Sequence, residues 1–220
     1  MRPERAILCL VTDRRRFFGE NATLGATVRR LADLAAEAAD AGIDLIQVRE
    51  RDLPTNALVD LVGRLVQRTG GYPTRVVVND RLDVALTCGA SGVHLRGDSI
   101  APEAARRIAP PGFLVGRSVH AVGEAAQTGR EADYLIAGTV FPSASKASTD
   151  GLLGTAGLKA VVVTAPHPVL GIGGITVERV PLIAATGASG VAAIGLFMTT
   201  ELSRVVKEVR ARFDTFTTPS

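Results

Sequence analysis

The chain has 220 residues, of which 46% are hydrophobic, 21% are charged and 4% are aromatic, with a formal net charge of +3. This is an ordinary globular composition, which excludes a disordered or low-complexity chain. No apolar run approaches the ~20 residues that span a bilayer, so no membrane partner is predicted.

Short aliphatic runs alternate with amphipathic stretches along the chain, which is typical of a buried parallel sheet covered by helices. Strands are predicted at residues 6–12, 45–49, 75–79, 92–95, 113–118, 134–139, 169–172 and 191–194. Helical spacing of apolar residues predicts helices at 27–41, 55–68, 81–88, 101–108, 122–127, 155–164 and 177–185. The last predicted helix has one apolar stripe, formed by Leu202, Val205, Val206, Val209 and Phe213.

These eight strand–helix units predict an α/β fold, the (β/α)8 TIM barrel, in a single domain of residues 1–220 with 214–220 as a frayed tail. A repeat supports this prediction, since Gly-Ala-Ser-Gly-Val occurs at 89–93 and again at 187–191, each time at a helix-to-strand corner. The rival architecture is an open doubly wound sheet. That fold needs a glycine-rich turn after the first strand, where this chain has Asp-Arg-Arg-Arg at 13–16.

Cysteine and lysine usage indicates the compartment and the kind of partner. Cys9 and Cys88 lie in apolar runs and are too few for a disulfide framework, which is typical of reduced thiols in a cytoplasmic protein. The first five residues contain no apolar run, so no signal peptide is expected. Only three of the 25 basic residues are lysines, and no basic-aromatic motif accompanies the arginines, which favours small phosphorylated ligands over nucleic acid.

Polar residues collect at the carboxyl ends of the predicted strands, where a TIM barrel builds its active face. Gln47, Arg49 and Arg51 alternate along the second strand, so their side chains are predicted to point together into the barrel mouth. Two converging guanidinium groups need an anionic ligand, unless an ion-pair network with neighbouring carboxylates balances them. The arginine run at 14–16 follows the first strand and could also reach the rim, but a solvated charge run is the favoured interpretation.

Asn79 and Asp80 end the third strand, and Asp98 follows the fourth. A carboxylate that faces a diphosphate often holds Mg²⁺ against it, so Asp80 is predicted to be a metal ligand. Asp98 either supplies a second oxygen or serves as a helix cap or surface-turn residue.

Residues 171–176, Gly-Ile-Gly-Gly-Ile-Thr, follow the seventh strand and begin a helix. Gly173 and Gly174 would let backbone N–H groups approach a phosphate, and such sites recur after strands seven and eight. Gly195, at the end of strand eight, has no side chain to obstruct the same anion. The alternative is a tight turn without a ligand.

Two histidines and one lysine are further candidates. His94 lies within a strand and is interpreted as a buried, hydrogen-bonded core residue. His120 lies two residues beyond Ser118 at the rim, where it either transfers a proton or packs beneath a loop. The polar loop at 141–154 contains Lys146, a cation that could close over an anionic ligand.

Six segments, in this order, resemble the thiamine-phosphate synthase and thiazole tautomerase superfamily, a group of (β/α)8 barrels in thiamine biosynthesis. The resemblance covers nearly the whole chain and is carried by Gln-Val-Arg-Glu-Arg at 47–51, Val-Asn-Asp at 78–80, Gly-Val-His-Leu at 92–95, Gly-Arg-Ser-Val-His at 116–120, Phe-Pro-Ser-Ala-Ser-Lys at 141–146 and Gly-Ile-Gly-Gly-Ile-Thr at 171–176.

The resemblance implies phosphorylated pyrimidine and thiazole substrates and Mg²⁺ as cofactor. A homodimer is compatible with the sequence. In the synthase, an aminopyrimidine methyl diphosphate loses Mg-diphosphate, and the thiazole nitrogen traps the resulting cation. The residues implied to hold the diphosphate are Gln47, Arg49, Arg51, Asn79 and Lys146. Asp80 would hold Mg²⁺, and Ser118 would lie beside the pyrimidine or the leaving group. The residues implied to contact the thiazole phosphate are Ser143, Ser145, Gly174, Ile194 and Gly195.

The chain departs from the synthase pattern at several positions. The synthase usually has Lys at the position of Arg51, a second metal-binding Asp at Ser99, a small apolar residue at Arg117 and Ser at Gly195. The segments at 49–51 and 116–120 are more similar to the tautomerase, which aromatises a thiazole carboxylate phosphate without a metal and would use His120 as acid and base. We favour the synthase because Asp80 has no evident task in a metal-free isomerase.

Two further hypotheses remain at this point. One is a non-catalytic barrel that senses thiamine intermediates, and the other is a phosphate-binding barrel enzyme of amino-acid biosynthesis with Asp13 as its catalyst.

Overall fold

The computed structural model describes residues 5–19, 23–128, 130–142 and 151–215. Within them, eight parallel strands pair in sequence order and close into a barrel through pairing of the first with the last. This confirms the predicted (β/α)8 TIM barrel. The strands are β1 (Ile7–Val11), β2 (Leu45–Val48), β3 (Arg75–Asn79), β4 (Gly92–Leu95), β5 (Leu114–Val119), β6 (Tyr134–Gly138), β7 (Val169–Ile172) and β8 (Gly190–Ala193).

The helices in the described residues surround the barrel, and none is long and apolar enough to cross a membrane. They are α1 (Arg14–Phe18), α2 (Leu24–Ala41), α3 (Thr55–Arg68), α4 (Leu82–Thr87), α5 (Pro102–Arg106), α6 (Val122–Gln127), α7 (Gly154–Thr164), α8 (Val180–Ala184) and α9 (Leu202–Asp214).

Helix boundaries differ from the predictions where local chemistry intervenes. Helix α2 begins three residues early because the Thr23 hydroxyl accepts a hydrogen bond from the N–H of Ala26 and caps it. The predicted helix at 177–185 is divided into a 3-10 turn (Val177–Arg179) and α8. Pro181 lies in the first turn of α8, where its missing N–H breaks no helical hydrogen bond, so α8 starts there as a new helix. Helix α9 includes Asp214 of the predicted tail, and residues 216–220 lie outside the described part.

Alternate residues of each strand pack on opposite faces of the barrel wall. In β1, for example, Leu8 and Leu10 pack outward against helices, whereas Cys9 and Val11 pack inside. The inner cluster contains Cys9, Val11, Leu45, Tyr134, Ile136, Leu170 and Ala192. Burial of each large aliphatic side chain stabilises the fold by about 1.5–3 kcal/mol.

The repeated Gly-Ala-Ser-Gly-Val segment forms two equivalent corners, as predicted. Gly89 follows α4 with φ 64° and leads into β4, and Gly187 follows α8 with φ 87° and leads into β8. Both φ values lie in the left-handed region that favours glycine at the end of a helix.

Candidate functional site

A cavity of about 1010 Å³ opens at the carboxyl ends of the strands, the face predicted to carry the site. Most of the predicted site residues line it, namely Gln47, Arg49, Arg51, Asn79, Asp98, Ser118, His120, Gly173, Gly174, Ile194 and Gly195. Asp80 follows the lining residue Asn79 directly. The other predicted residues, Ser143, Ser145 and Lys146, lie outside the described residues.

Four residues from β2 and β3 and from the segment after β2 form what we call the arginine end of the cavity: Gln47, Arg49, Arg51 and Asn79. Within the described residues, neither Arg49 nor Arg51 forms an ion pair. Partial burial, followed by the nearby guanidinium groups of Arg49 and Arg96, lowers the pKa of Arg51. The arginine end therefore carries positive charge that is suited to an anionic ligand.

The carboxylates beside these arginines are bound by Arg14 instead. Its Nη1 lies 3.0 Å from Oε2 of Glu50 and 2.6 Å from Oδ1 of Asp52, and its backbone N–H also donates to Glu50. Burial raises the pKa of Glu50, whose side chain is almost completely enclosed. The ion-pair alternative for Arg49 and Arg51 is therefore wrong for these two carboxylates.

The arginine run at 14–16 is not a uniformly solvated surface, so that interpretation was wrong. Arg14 has only 12% of its side chain exposed because it joins α1 to the segment after β2. Arg15 is 61% exposed and pairs with Asp52 at 2.6 Å. Arg16 lines the cavity. Three consecutive residues thus have three different environments.

A guanidinium lies between the two predicted metal ligands. Arg96 pairs with Asp98, and its Nη1 lies 3.5 Å from Oδ2 of Asp80. The Ser99 hydroxyl donates to the other oxygen of Asp80, and the N–H of Asp80 donates to the carbonyl of His94 at 2.9 Å. Asp80 is therefore held in place, whereas 70% of the Asp98 side chain is exposed.

Arg117 holds the loop after β4, which contains Asp98, in place. Its side chain donates to the carbonyl of Ile100 through Nη1 and to that of Gly97 through Nη2, both at 2.9 Å. This contact ties β5 to the loop after β4, so the unusual arginine has a structural task beside the cavity.

A buried polar chain links the barrel interior to the cavity. His94 lies 2.8 Å from Oγ of Ser118 through Nε2 and 3.3 Å from the hydroxyl of Tyr134 through Nδ1. Burial lowers the pKa of His94 to about 3, so the ring is neutral near pH 7. Glycine at position 116 leaves space for the Tyr134 ring, because a Cβ there would lie 2.3 Å from Cζ of Tyr134. This confirms His94 as a buried, hydrogen-bonded residue.

His120 is exposed and lines the cavity rather than packing beneath a loop. Its Nδ1 lies 2.6 Å from the carbonyl oxygen of Gly138, and its backbone N–H donates to Glu124 at 2.6 Å. Since a carbonyl oxygen only accepts hydrogen bonds, Nδ1 carries a proton in this contact, which leaves Nε2 as the ring nitrogen for a second partner.

Three glycines and one isoleucine at the ends of β7 and β8 form another side of the cavity, which we call the glycine end: Gly173, Gly174, Ile194 and Gly195. Gly173 and Gly174 have φ values of 104° and 61°. A Cβ on Gly173 would lie 2.4 Å from Cγ2 of Thr139, and one on Gly174 would lie 2.3 Å from the carbonyl oxygen of Pro142. Both close packing and backbone conformation therefore require glycine here.

Two arginines that were not predicted as site residues also border the glycine end. Arg179 donates from Nη1 to the carbonyl of Gly174 at 2.6 Å, and its guanidinium lies 4.9 Å from the ring centre of Phe141. Arg16 approaches Gly195 from α1. The position of Arg16 directly after β1 was the available signal, since loops after strands form the active face.

The sequence matches the family model described as "Thiamine monophosphate synthase" over residues 8–197. The chain belongs to the thiamine monophosphate synthase family. The match runs from β1 past β8 and so includes both ends of the cavity.

Relatives and solved structures agree with this family. The chain is 41% identical over 167 residues to the thiamine-phosphate synthase of Methanoculleus marisnigri, covering 76% of this chain and 79% of the relative. It is 37% identical to that of Roseiflexus castenholzii, covering 86% and 80%. The thiamine phosphate pyrophosphorylase structure from Pyrococcus furiosus matches with a TM-score of 0.80 and 31% identity, covering 96% of each chain. A 3-hexulose-6-phosphate synthase from Salmonella typhimurium, at 14% identity and a TM-score of 0.66 over 96% and 99%, shares the fold alone.

Proposed function

We propose that the chain is a thiamine-phosphate synthase that joins an aminopyrimidine methyl diphosphate to a thiazole phosphate and releases diphosphate. The observation that carries this proposal is one cavity with two different ends, each of which is suited to an anionic group. The arginine end offers guanidinium groups that form no ion pair within the described residues. The glycine end, at the ends of β7 and β8, offers backbone that three glycines leave uncovered. Family membership supports the same reaction.

In this reaction, the bond between the pyrimidine methylene carbon and the diphosphate oxygen breaks, and its electron pair leaves with the diphosphate. The thiazole nitrogen then donates its lone pair to the methylene carbon and forms the new C–N bond. Arg49 and Arg51 hold the diphosphate and stabilise the negative charge that grows on the leaving oxygen. Gln47 and Asn79 orient the same group by hydrogen bonds.

The residues present fit Mg²⁺ held jointly with diphosphate. Within the described residues, no group of three or more His, Cys, Asp or Glu side chains could hold a metal alone. Mg²⁺ commonly takes one or two carboxylates together with substrate phosphate oxygens, and Asp80 provides a fixed carboxylate of this kind. Asp98 is the second candidate ligand. When bound, Mg²⁺ would supply further positive charge to the leaving diphosphate.

Ser118 is the group that we place beside the pyrimidine. Its Oγ lines the cavity and is fixed by Nε2 of His94, which is itself held by Tyr134. The neutral histidine keeps the serine hydroxyl oriented without adding a positive charge next to the developing pyrimidine cation.

The test is product formation from the two substrates with and without Mg²⁺, measured by chromatography. Asp80→Asn is expected to reduce formation of thiamine phosphate by about 100-fold or more, since it removes a charge next to the leaving group. Asp83→Asn is the matched control, because Asp83 pairs with Arg81 on α4 outside the cavity. Absence of product from the wild-type protein, or equal activity of the two variants, would overturn the proposal.

Metal binding gives a second measurement that does not depend on turnover. Electron paramagnetic resonance with Mn²⁺ in place of Mg²⁺ is expected to detect tight binding only when inorganic diphosphate is present. Tight binding without diphosphate would contradict a jointly held metal.

A second candidate is the metal-independent thiazole tautomerase, and the environment of His120 favours it. The exposed ring lines the cavity and uses Nδ1 to bind the carbonyl of Gly138, so Nε2 is the nitrogen left to exchange a proton with a substrate. If this is the activity, a thiazole carboxylate phosphate tautomer is aromatised in the presence of EDTA, and His120→Asn abolishes the conversion. If the synthase proposal holds, that conversion is absent and product formation from the two substrates requires Mg²⁺.

A further inference from the structure

Arg16 brings positive charge into the cavity that the described residues do not neutralise. The two arginines that precede it are both paired with carboxylates, Arg14 with Glu50 and Asp52, and Arg15 with Asp52. Arg16 forms no ion pair with any residue that the structure describes, although it lines the cavity. A guanidinium in this situation is available to an anionic ligand.

The position of Arg16 places this charge at the glycine end. A Cβ built on Gly195 would lie 3.4 Å from Nη2 of Arg16 and 3.8 Å from its Cζ. Because Gly195 has no side chain, the guanidinium can approach the bare backbone at the end of β8. The short helix that carries Arg16 is fixed independently, since Arg14 attaches it to Glu50 and the Asp13 side chain accepts from the N–H of Arg16 at 3.2 Å.

Other charged groups near the glycine end have partners. Arg179 is engaged with the carbonyl of Gly174 and the ring of Phe141. The Glu178 carboxylate, which also lines the cavity, is hydrogen-bonded to the Thr176 side chain. Backbone groups alone provide only partial charges for a phosphate dianion, whereas Arg16 provides a full charge and a fork of donors that matches phosphate geometry.

We propose that Arg16 binds the phosphate monoester of the thiazole substrate at the glycine end and makes the enzyme specific for the phosphorylated form. This inference rests on the proposed synthase function. The diphosphate of the other substrate is assigned to Arg49 and Arg51, which follow β2 on one side of β1. The Arg16 guanidinium approaches Gly195 after β8, on the other side of β1, so we expect it to act on the thiazole phosphate rather than on the diphosphate.

The experiment compares Arg16→Gln with Arg15→Gln, a matched control that removes the same charge one residue away on an exposed side chain. Steady-state kinetics are measured for the pyrimidine diphosphate, the thiazole phosphate and the unphosphorylated thiazole alcohol. Arg16→Gln is expected to raise the KM for thiazole phosphate about 10-fold or more and to leave the KM for the other two within about twofold. Arg15→Gln is expected to remain within about twofold of wild type for all three.

Two additions make the result decisive. Arg16→Lys is expected to recover part of the affinity, because it keeps the charge and loses the fork. Calorimetry with thiazole phosphate alone measures binding without turnover, so Arg16 is tested even if the wild-type protein forms no thiamine phosphate and the proposed function fails. An unchanged KM and unchanged calorimetric affinity in Arg16→Gln would overturn the inference, as would an equal rise in the KM for the pyrimidine diphosphate.

Discussion

The buried His94 makes stability depend on pH in a defined direction. Burial lowers its pKa in the folded protein to about 3, compared with about 6.5 in the unfolded chain. Between these two values the unfolded chain binds the additional proton, so the free energy of unfolding falls as the pH falls. Each pH unit below 6.5 lowers the free energy of unfolding by about 1.4 kcal/mol. At pH 4.5 the loss of stability due to His94 is therefore about 2.7 kcal/mol.

The assay is urea unfolding of the wild type and His94→Gln at several pH values between 7 and 4.5. Glutamine does not titrate, so the difference in unfolding free energy between the two proteins isolates the histidine from carboxylates that both share. We expect the variant to be less stable than wild type at pH 7, with a deficit that shrinks by about 2 to 3 kcal/mol at pH 4.5. A difference that stays constant with pH would refute the reasoning.

Three further changes test other contacts. Arg14→Gln leaves the buried Glu50 without its cation and is expected to lower the free energy of unfolding by about 3 kcal/mol, measured in urea, and an unchanged denaturation midpoint would contradict this. Gly174→Ala combines a φ of 61° with a Cβ 2.3 Å from the carbonyl oxygen of Pro142. It is expected to lower the melting temperature and raise the KM for thiazole phosphate, so wild-type values of both would disprove the packing argument. Arg96→Gln removes the guanidinium between the two candidate metal ligands and is expected to tighten Mn²⁺ binding without diphosphate, measured by electron paramagnetic resonance; weaker or equal binding would count against it.

The barrel was predictable because each strand is a short aliphatic run between helices of regular apolar spacing. The apolar spacing was less informative about helix boundaries. A single polar contact decides where α2 begins, at Thr23, and a proline starts α8 as a new helix, at Pro181. Helix α1 has no apolar periodicity to reveal it. Its five residues are held by Asp13 at the N-terminus and by the ion pairs of Arg14.

The location of the site was predictable from the rule that strand ends share one face, and this rule placed Gln47, Arg49 and Asn79 correctly in the cavity wall. Pairings between distant side chains were not predictable in the same way. Which arginine neutralises Glu50, and which one forms no ion pair with the residues that the structure describes, depends on the direction of each side chain along a turn. That direction is set by tertiary contacts rather than by residue type.

The division of tasks between Arg14 and Arg16 has a practical consequence for redesign. Arg14 anchors the first short helix to Glu50, whereas Arg16, two positions away on the same turn, is the residue that we propose to contact the ligand. A library confined to position 16 would therefore sample neutral or acidic side chains against cationic heterocycles while leaving the scaffold intact.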